Sequence, residues 1–253
     1  MRAPLLVLSL LVLARPATAS DGDYNAWMTH FYRTRDIGQF DGYWKMVIRD
    51  GLLEKKNTVP PVLGFSSQVL HVYPSLIKGR LDNPYKFPEA QRQVVFTMLW
   101  LSDTKEARAM LNSFGNRQYA TMAPPGIAGW KIKAAGDLDL CWGWYFATGD
   151  VAALDSIVSA LDLGPYAGAL KRFPTSQKTE EDRQAAMKDA IFSLAMWSLG
   201  ENARDNHDVA KHIAVLYYRD QTPTERRRWL GALFAETSAN ISSQELEDDK
   251  AGR

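Results

Sequence analysis

Residues whose side chains could take part in catalysis or ligand binding are concentrated in one stretch, Asp137 to Asp150, which reads DLDLCWGWYFATGD. Asp137 and Asp139 could act as a general acid and base, and the aromatic rings beside them could line a pocket for a sugar or a base. Cys141 is the only cysteine of the chain, so no internal disulfide can form. Function at this stretch would require the carboxylates or the rings to face a ligand.

A buried helix explains the same residues without a ligand. On a helix that begins near Asp137, apolar side chains cover nearly every face, which is typical of a helix in the centre of a core. Both aspartates fall in its first turn, where the helix dipole favours carboxylates. We therefore predict a buried central helix in which Cys141 is a small apolar core residue. An aromatic pocket and a two-carboxylate site remain the alternatives.

Two further pairs have the spacing of neighbours on a helix surface: Ser67 with His71, and Asp208 with His212. Either could begin a catalytic pair in which the histidine is the general base. No G-x-S-x-G turn accompanies Ser67, so ordinary surface pairing is favoured for both. His207 and His212 lie about 140° apart on a helix, so they do not share a face as two zinc ligands would. No metal site and no cofactor is predicted.

The segment 115–136, GNRQYATMAPPGIAGWKIKAAG, is a long connection rich in glycine, alanine and proline. Irregular connections of this length are uncommon inside compact domains and are often functional. Trp130, Lys131 and Lys133 offer an aromatic anchor flanked by cations, which suits a binding surface for a protein or peptide. The alternative is a structural strap that packs across the helices through Ile127, Trp130 and Ile132. Both interpretations stay open, and Trp130, Lys131 and Lys133 are the predicted binding residues.

Helices must position these residues, because alternation of period two is nearly absent and helix-start signals recur. Thr222–Glu225 reads as a capping box with proline at the first helical position. Asp103 and Asp150 are predicted to cap the helices that follow them. Thr179 and the three acidic residues after it predict the start of a helix that runs toward Leu199. The predicted fold class is all-α.

Two stretches of the sequence superpose with a shift of 47 residues when Asp103 is set on Asp150. Each has an apolar helix, a break at the aspartate and a second helix with apolar residues at matching positions. Such self-similarity predicts an array of helical hairpins, each burying its apolar face on the next. Tyr145 to Pro165, with Gly149 and Asp150 at the turn, resembles the second half of a tetratricopeptide repeat. The resemblance covers one repeat and implies a TPR- or HEAT-like array, or an irregular α-solenoid, that binds proteins or peptides.

The N-terminus, MRAPLLVLSLLVLARPATAS, has the order of a secretory signal peptide: Arg2, an apolar run over 5–13 and a small-x-small site that ends at Ala19. The apolar run is far shorter than the roughly 20 residues that span a bilayer. The predicted organisation is a signal peptide over 1–19, a single α-helical repeat-like domain over 20–241 and a disordered polar tail over 242–253.

The charge and composition of the chain exclude some classes of binding partner. Cleavage after Ala19 would remove two of the 30 basic residues and none of the 29 acidic ones, which leaves a formal charge of −1. Nucleic-acid binders carry a basic excess, so no nucleic-acid partner is predicted, and no later stretch suits stable membrane insertion. We predict a periplasmic or secreted module that binds a protein or peptide partner in the cell envelope. The rival is a periplasmic hydrolase-type enzyme with a site in the helical groove, drawn from Asp137, Asp139, His71 and His212.

Overall fold

The computed structural model describes residues 24–81, 83–172 and 179–237. All regular secondary structure in these ranges is α-helix or 3₁₀-helix, which confirms the predicted all-α class. No helix within them is long and apolar enough to cross a bilayer. The predicted signal peptide over 1–19 and the predicted tail over 242–253 lie outside the described residues.

The chain divides into two compact units, and the first is discontinuous in sequence. Among the described residues, it comprises those up to Gly126 together with Asp139–Asp150. Its α-helices are α1 (Tyr24–Thr34), α2 (Phe40–Arg49), α3 (Val59–Val72), α4 (Glu89–Ser102), α5 (Lys105–Ser113), α6 (Arg117–Thr121) and most of α7 (Ala135–Thr148). Short 3₁₀-helices occupy Ile37–Gln39, Pro74–Leu76 and Pro84–Lys86.

The second unit comprises Ile127–Leu138 and the described residues from Val151 onward, so it includes the first residues of α7. A 3₁₀-helix at Ala160–Tyr166 follows its first complete helix. Its other helices are α8 (Val151–Ser159), α9 (Ala169–Arg172), α10 (Glu180–Asp205), α11 (His207–Tyr218) and α12 (Thr224–Thr237). The single domain over 20–241 stays a prediction.

Aromatic rings fill the core of the first unit. Trp27, Phe31, Tyr43 and Phe65 are all buried. The ring of Phe65 meets the other three edge to face, with centroids 5.3 to 5.4 Å apart. This geometry brings the positive edge of one ring to the negative face of the next, which adds to the stabilisation from burying the rings. The cluster joins α1, α2 and α3.

Helices α3 and α7 cross at two glycines within the first unit. A Cβ at Gly64 would overlap the carbonyl group of Leu140, and a Cβ at Gly143 would overlap that of Pro61. The absence of side chains at these two points lets the backbones approach closely. The part of α7 around the crossing consists largely of apolar residues, and these residues are buried in the core.

The C-terminal end of α7 is held by an arginine from the first helix. Arg35 follows α1 in the left-handed region, at φ 51°. Its guanidinium donates hydrogen bonds to the carbonyl oxygens of Ala147, at 2.7 Å, and Thr148, at 3.0 Å. The last carbonyls of a helix have no partner within the helix, so these bonds satisfy groups that would otherwise need water.

The second unit is organised around α10, which has 26 residues. The predicted start at Thr179 is confirmed: its hydroxyl accepts from the backbone N–H of Asp182 at 3.2 Å, and the Asp182 carboxylate accepts from the backbone N–H of Thr179 at 3.0 Å. This reciprocal capping box stabilises the first turn. The helix packs against α11, α12 and the 3₁₀-helix at Ala160–Tyr166.

The predicted cap of α5 is wrong by one residue. The hydroxyl of Thr104, not the side chain of Asp103, accepts from the backbone N–H of Ala107 at 3.1 Å. Asp103 instead ends α4 in the left-handed region, at φ 51°, and Gly149 ends α7 in the same region, at φ 74°. The two segments therefore match with a shift of 46 residues rather than 47: α4 and α7 each have 14 residues, and α5 and α8 each have nine.

Candidate functional site

The predicted binding residues lie on an ordered loop that enters α7 from the second unit. The loop starts at Ile127, which is buried and whose carbonyl accepts a hydrogen bond from the Ser156 hydroxyl of α8 at 2.8 Å. The backbone N–H of Trp130 donates to the same carbonyl at 3.0 Å, closing a turn that contains Gly129 at φ 77°. One end of the loop is thus fixed to a neighbouring helix.

A carboxylate closes the other end of the loop. One oxygen of Asp137 accepts from the backbone N–H groups of Lys133, at 2.8 Å, and Ala134, at 2.9 Å. The other oxygen accepts from the indole N–H of Trp130 at 3.3 Å. Both oxygens of this carboxylate are occupied by the loop itself. Asp137 therefore organises the loop, and this role differs from the acid or base role considered for it.

Exposure alternates along the loop. Trp130 and Ile132 are half-buried, whereas Lys131 and Lys133 are exposed. The two lysines thus present their ammonium groups to solvent on a segment whose ring is partly covered. A buried anchor at Ile127 agrees with the strap interpretation, and the exposed part of Trp130 with its neighbouring lysines agrees with the binding interpretation. The assignment of Trp130, Lys131 and Lys133 as binding residues stays a prediction.

The aromatic stretch in α7 is core, as predicted. Cys141, Trp142, Tyr145 and Phe146 are buried, and the rings of Trp142 and Phe146 stack with centroids 5.6 Å apart. Asp139 was predicted to lie in the first turn of this helix, but α7 begins at Ala135, so Asp139 lies beyond that turn and is buried. Burial raises the pKa of its carboxyl from 3.8 to about 6. Functional sites often contain a buried carboxyl whose pKa is raised in this way, and structural carboxyls share the property.

The suggested catalytic pair of Ser67 and His71 does not form. The hydroxyl of Ser67 is buried and donates to the carbonyl oxygen of Gly64 at 3.2 Å. His71 is exposed, and its Nδ1 donates to the carbonyl oxygen of Ser102 at 2.7 Å, since a carbonyl can only accept. The serine hydroxyl therefore has a backbone acceptor rather than a general base, and His71 links α3 to the end of α4.

His212 has a partner that the sequence did not indicate. Its Nε2 lies 2.9 Å from Oδ1 of Asp155 in α8, a residue 57 positions away, whereas the sequence had suggested Asp208. The hydrogen bond with His212 holds the pKa of Asp155 below its ordinary value against the opposing effect of partial burial, and the positive charges of Arg219 and Arg226 add to this. Helical spacing in the sequence can predict only neighbours a few positions apart. The contact between Asp155 and His212 therefore could not be predicted without the fold.

The described part of the chain contains no group of three or more histidine, cysteine, aspartate and glutamate side chains that could hold a metal ion. The loop with Trp130 and the pair of Asp155 and His212 are two places among the described residues where side chains able to bind a ligand or to transfer a proton lie together. Comparisons with protein-family models, with curated proteins and with solved structures found no match to this chain.

Proposed function

We propose that the protein is an exported binding module that presents the loop over 127–134 to a peptide or protein partner in the cell envelope. The observation that supports this is the arrangement of one loop: a partly exposed tryptophan, Trp130, is oriented by a hydrogen bond to Asp137 and flanked by the exposed Lys131 and Lys133. Aromatic anchors of this kind dominate the binding energy of many interfaces.

Fixing the loop before the partner arrives lowers the cost of binding. The Asp137 carboxylate ties together the two backbone N–H groups and the indole N–H, and Ser156 holds the far end at Ile127. An interface residue that is already ordered loses little conformational entropy on association. The two ammonium groups favour a partner segment that carries carboxylates, and they act mainly on the association rate and its salt dependence.

Site-specific crosslinking tests the proposal in intact cells. A photoreactive phenylalanine analogue at Lys131 or Lys133 should capture one defined protein, identified by mass spectrometry. The same analogue at Lys105, which is exposed on α5, is the matched control and should not capture it. Equal capture at all three positions would show that the loop has no special role.

Binding and stability can then be separated on a single residue. Trp130→Ala should weaken the affinity for the captured partner at least tenfold, about 1.4 kcal/mol, while the melting temperature changes little. Trp130→Phe keeps a ring and loses the indole N–H, so it should retain most of the affinity. A structural strap predicts the reverse for Trp130→Ala: a large drop in melting temperature with the affinity of the folded molecule unchanged. That result would remove the loop from the proposal.

We also propose that the helices form hairpin units of an irregular array. The equal lengths of α4 and α7 and of α5 and α8 support this, as do the fully buried Ala107 and Leu111 of α5, which correspond to the fully buried Ala153 and Ile157 of α8. Matching helix lengths and matching buried positions are expected when one supersecondary unit is used twice.

A hydrolase-type activity is the second candidate, and the pair of Asp155 and His212 is the observation in its favour. A carboxylate that orients an imidazole is half of the arrangement that activates a serine or a water molecule. If this pair is catalytic, the protein should hydrolyse simple p-nitrophenyl esters, and His212→Gln should abolish the activity without lowering the melting temperature. An equal rate for His212→Gln would exclude the pair from catalysis.

A further inference from the structure

Helix α10 carries an apolar stripe that its own unit does not cover. Met187 and Trp197 are 53% and 41% exposed, and Ala190 and Leu194 between them are partly exposed. These four residues are spaced by three and four positions, so they lie on one face of the helix. The opposite face of α10 is buried, with Phe192, Ala195, Leu199 and Ala203 in the core. Large apolar side chains held in water on one rigid face mark a site of association.

Charged residues occupy the next positions of the same helix face, with the same spacing, on both sides of the apolar stripe. Glu180 and Arg183 precede the stripe, and Glu201 and Arg204 follow it, all of them on the surface. Positions 180, 183, 187, 190, 194, 197, 201 and 204 together follow the a and d positions of a heptad repeat. The repeat therefore has an apolar centre and a charged pair of opposite sign at each end.

This pattern is self-complementary about Phe192 in the middle of the helix. Residues at equal distances before and after it match in character: Met187 with Trp197, Ala190 with Leu194, Arg183 with Glu201, and Glu180 with Arg204. In an antiparallel pair of helices each a position faces a d position of the partner. We infer that α10 pairs with α10 of a second copy of this chain, antiparallel and about a two-fold axis that passes between Ala190 and Leu194 on the exposed face.

Charge decides between the antiparallel and the parallel arrangement. In a parallel pair every residue faces its own copy, so the two glutamates and the two arginines would each meet a like charge. In the antiparallel pair each charged residue meets the opposite sign. Within one chain, Arg183 already lies 3.4 Å from Glu180, and Arg204 forms an ion pair with Glu201. Antiparallel association joins these two pairs into an alternating network, whereas parallel association opposes them.

The size of the stripe predicts a weak dimer. Helix α10 is about 39 Å long at 1.5 Å per residue, but only its four central layers are apolar. Such an interface is smaller than those of stable complexes, so we expect dissociation in the micromolar range rather than an obligate dimer. A two-fold pair of identical faces closes on itself and leads to a dimer rather than a filament. The pairing uses no residue of the loop over 127–134, so it is independent of the binding proposal.

Sedimentation equilibrium on the full mature chain, from about 1 to about 500 µM, tests for this dimer in the expected affinity range. The wild-type protein should pass from monomer to dimer as its concentration rises. Met187→Ala and Trp197→Ala should each raise the dissociation constant about tenfold or more. Leu170→Ala is the matched control, because Leu170 is an exposed aliphatic residue, 48% exposed, of the same unit but outside the stripe. A wild-type monomer at every concentration, or an equal effect of Leu170→Ala, would overturn the inference.

Charge reversal tests the orientation. Arg183→Glu and Glu201→Arg should each weaken self-association severalfold, because each places like charges opposite one another at both ends of the pair. An equimolar mixture of the two variants should recover association, since every new charge then meets its opposite in the heterodimer. Far-ultraviolet circular dichroism on each variant checks that the helix content is unchanged. A mixture that associates no better than the separate variants would exclude the antiparallel register.

Discussion

At the scale of single residues, Asp139 has an unusual environment for a carboxylate. It is 8% exposed on a helix that is apolar on nearly every side, and burial raises the pKa of its carboxyl from 3.8 to about 6. The folded protein therefore keeps a proton that the unfolded chain has already released above pH about 4. By linkage, the free energy of unfolding falls as the pH rises from about 4 to about 6, and it stays at the lower level above that range.

Asp139→Asn should therefore stabilise the protein at neutral pH. At pH about 7.5 the substitution removes a buried charge, and the gain is at most about 3 kcal/mol for a pKa displaced by roughly two units, less the cost of burying an amide. At pH about 4 the carboxyl is already neutral in the fold, so the gain should vanish. Urea unfolding at both pH values measures this difference.

Asp137→Asn is the matched control for that experiment. Asp137 is two residues away on the same helix, but its carboxylate accepts three hydrogen bonds from the loop. The neutral amide accepts more weakly and at one atom only, so Asp137→Asn should lower the stability at pH about 7.5. Stabilisation by both substitutions, or by Asp139→Asn at both pH values, would contradict the assigned pKa of Asp139.

At the scale of helices, the crossing of α3 and α7 makes glycine indispensable at two points. Gly143→Ala would push a methyl group against the carbonyl of Pro61 and to within 2.7 Å of the backbone nitrogen of Phe65. Backbone atoms cannot rotate away, so the helices must separate, and we expect a loss of about 1–3 kcal/mol or more. Chemical denaturation of the variant measures this loss.

Gly200→Ala provides the control for helix propensity. A Cβ at Gly200 in α10 would lie 3.6 Å from Cδ2 of Leu233, which is an ordinary contact. Alanine is the better helix former, so this variant should gain up to about 1 kcal/mol. If Gly143→Ala lowers the free energy of unfolding and Gly200→Ala raises it, close packing of the backbones is the reason that glycine is required at the crossing. Equal effects would show that packing there is looser than the structure indicates.

Local patterns in the sequence predicted the helices well, but they could not predict contacts between residues that are far apart in the sequence. The buried helix around Cys141 could be predicted, because all-round apolarity needs no knowledge of its neighbours. The helix start at Thr179 could be predicted for the same reason, because the acidic residues of its first turn are adjacent in the sequence. The cap at Thr104 was missed because Asp103 beside it is an equally good capping residue. The pairing of His212 with Asp155 depends on how α8 and α11 pack, which no local pattern encodes.

At the scale of the whole molecule, export is the prediction with the widest consequences. The order of Arg2, the apolar run and the small residues before Ser20 predicts that a signal peptidase releases a chain that begins at Ser20. Mass spectrometry of the protein purified from the periplasm or the medium should find this N-terminus. An intact Met1, or a cytoplasmic location, would contradict the prediction.

The discontinuous first unit also constrains how the chain can fold during its synthesis. Arg35 and Gly64 contact α7, which is synthesised much later than either residue. The hydrogen bond from Arg35 to Ala147, for example, spans 112 positions. Until about residue 150 has emerged, the part of α3 around Gly64 lacks the α7 backbone that covers it in the folded unit, and the apolar residues there stay exposed to aggregation. We therefore expect stable folding of the first unit to begin only after α7 has been synthesised, and a chaperone that binds exposed apolar segments to reduce aggregation before then.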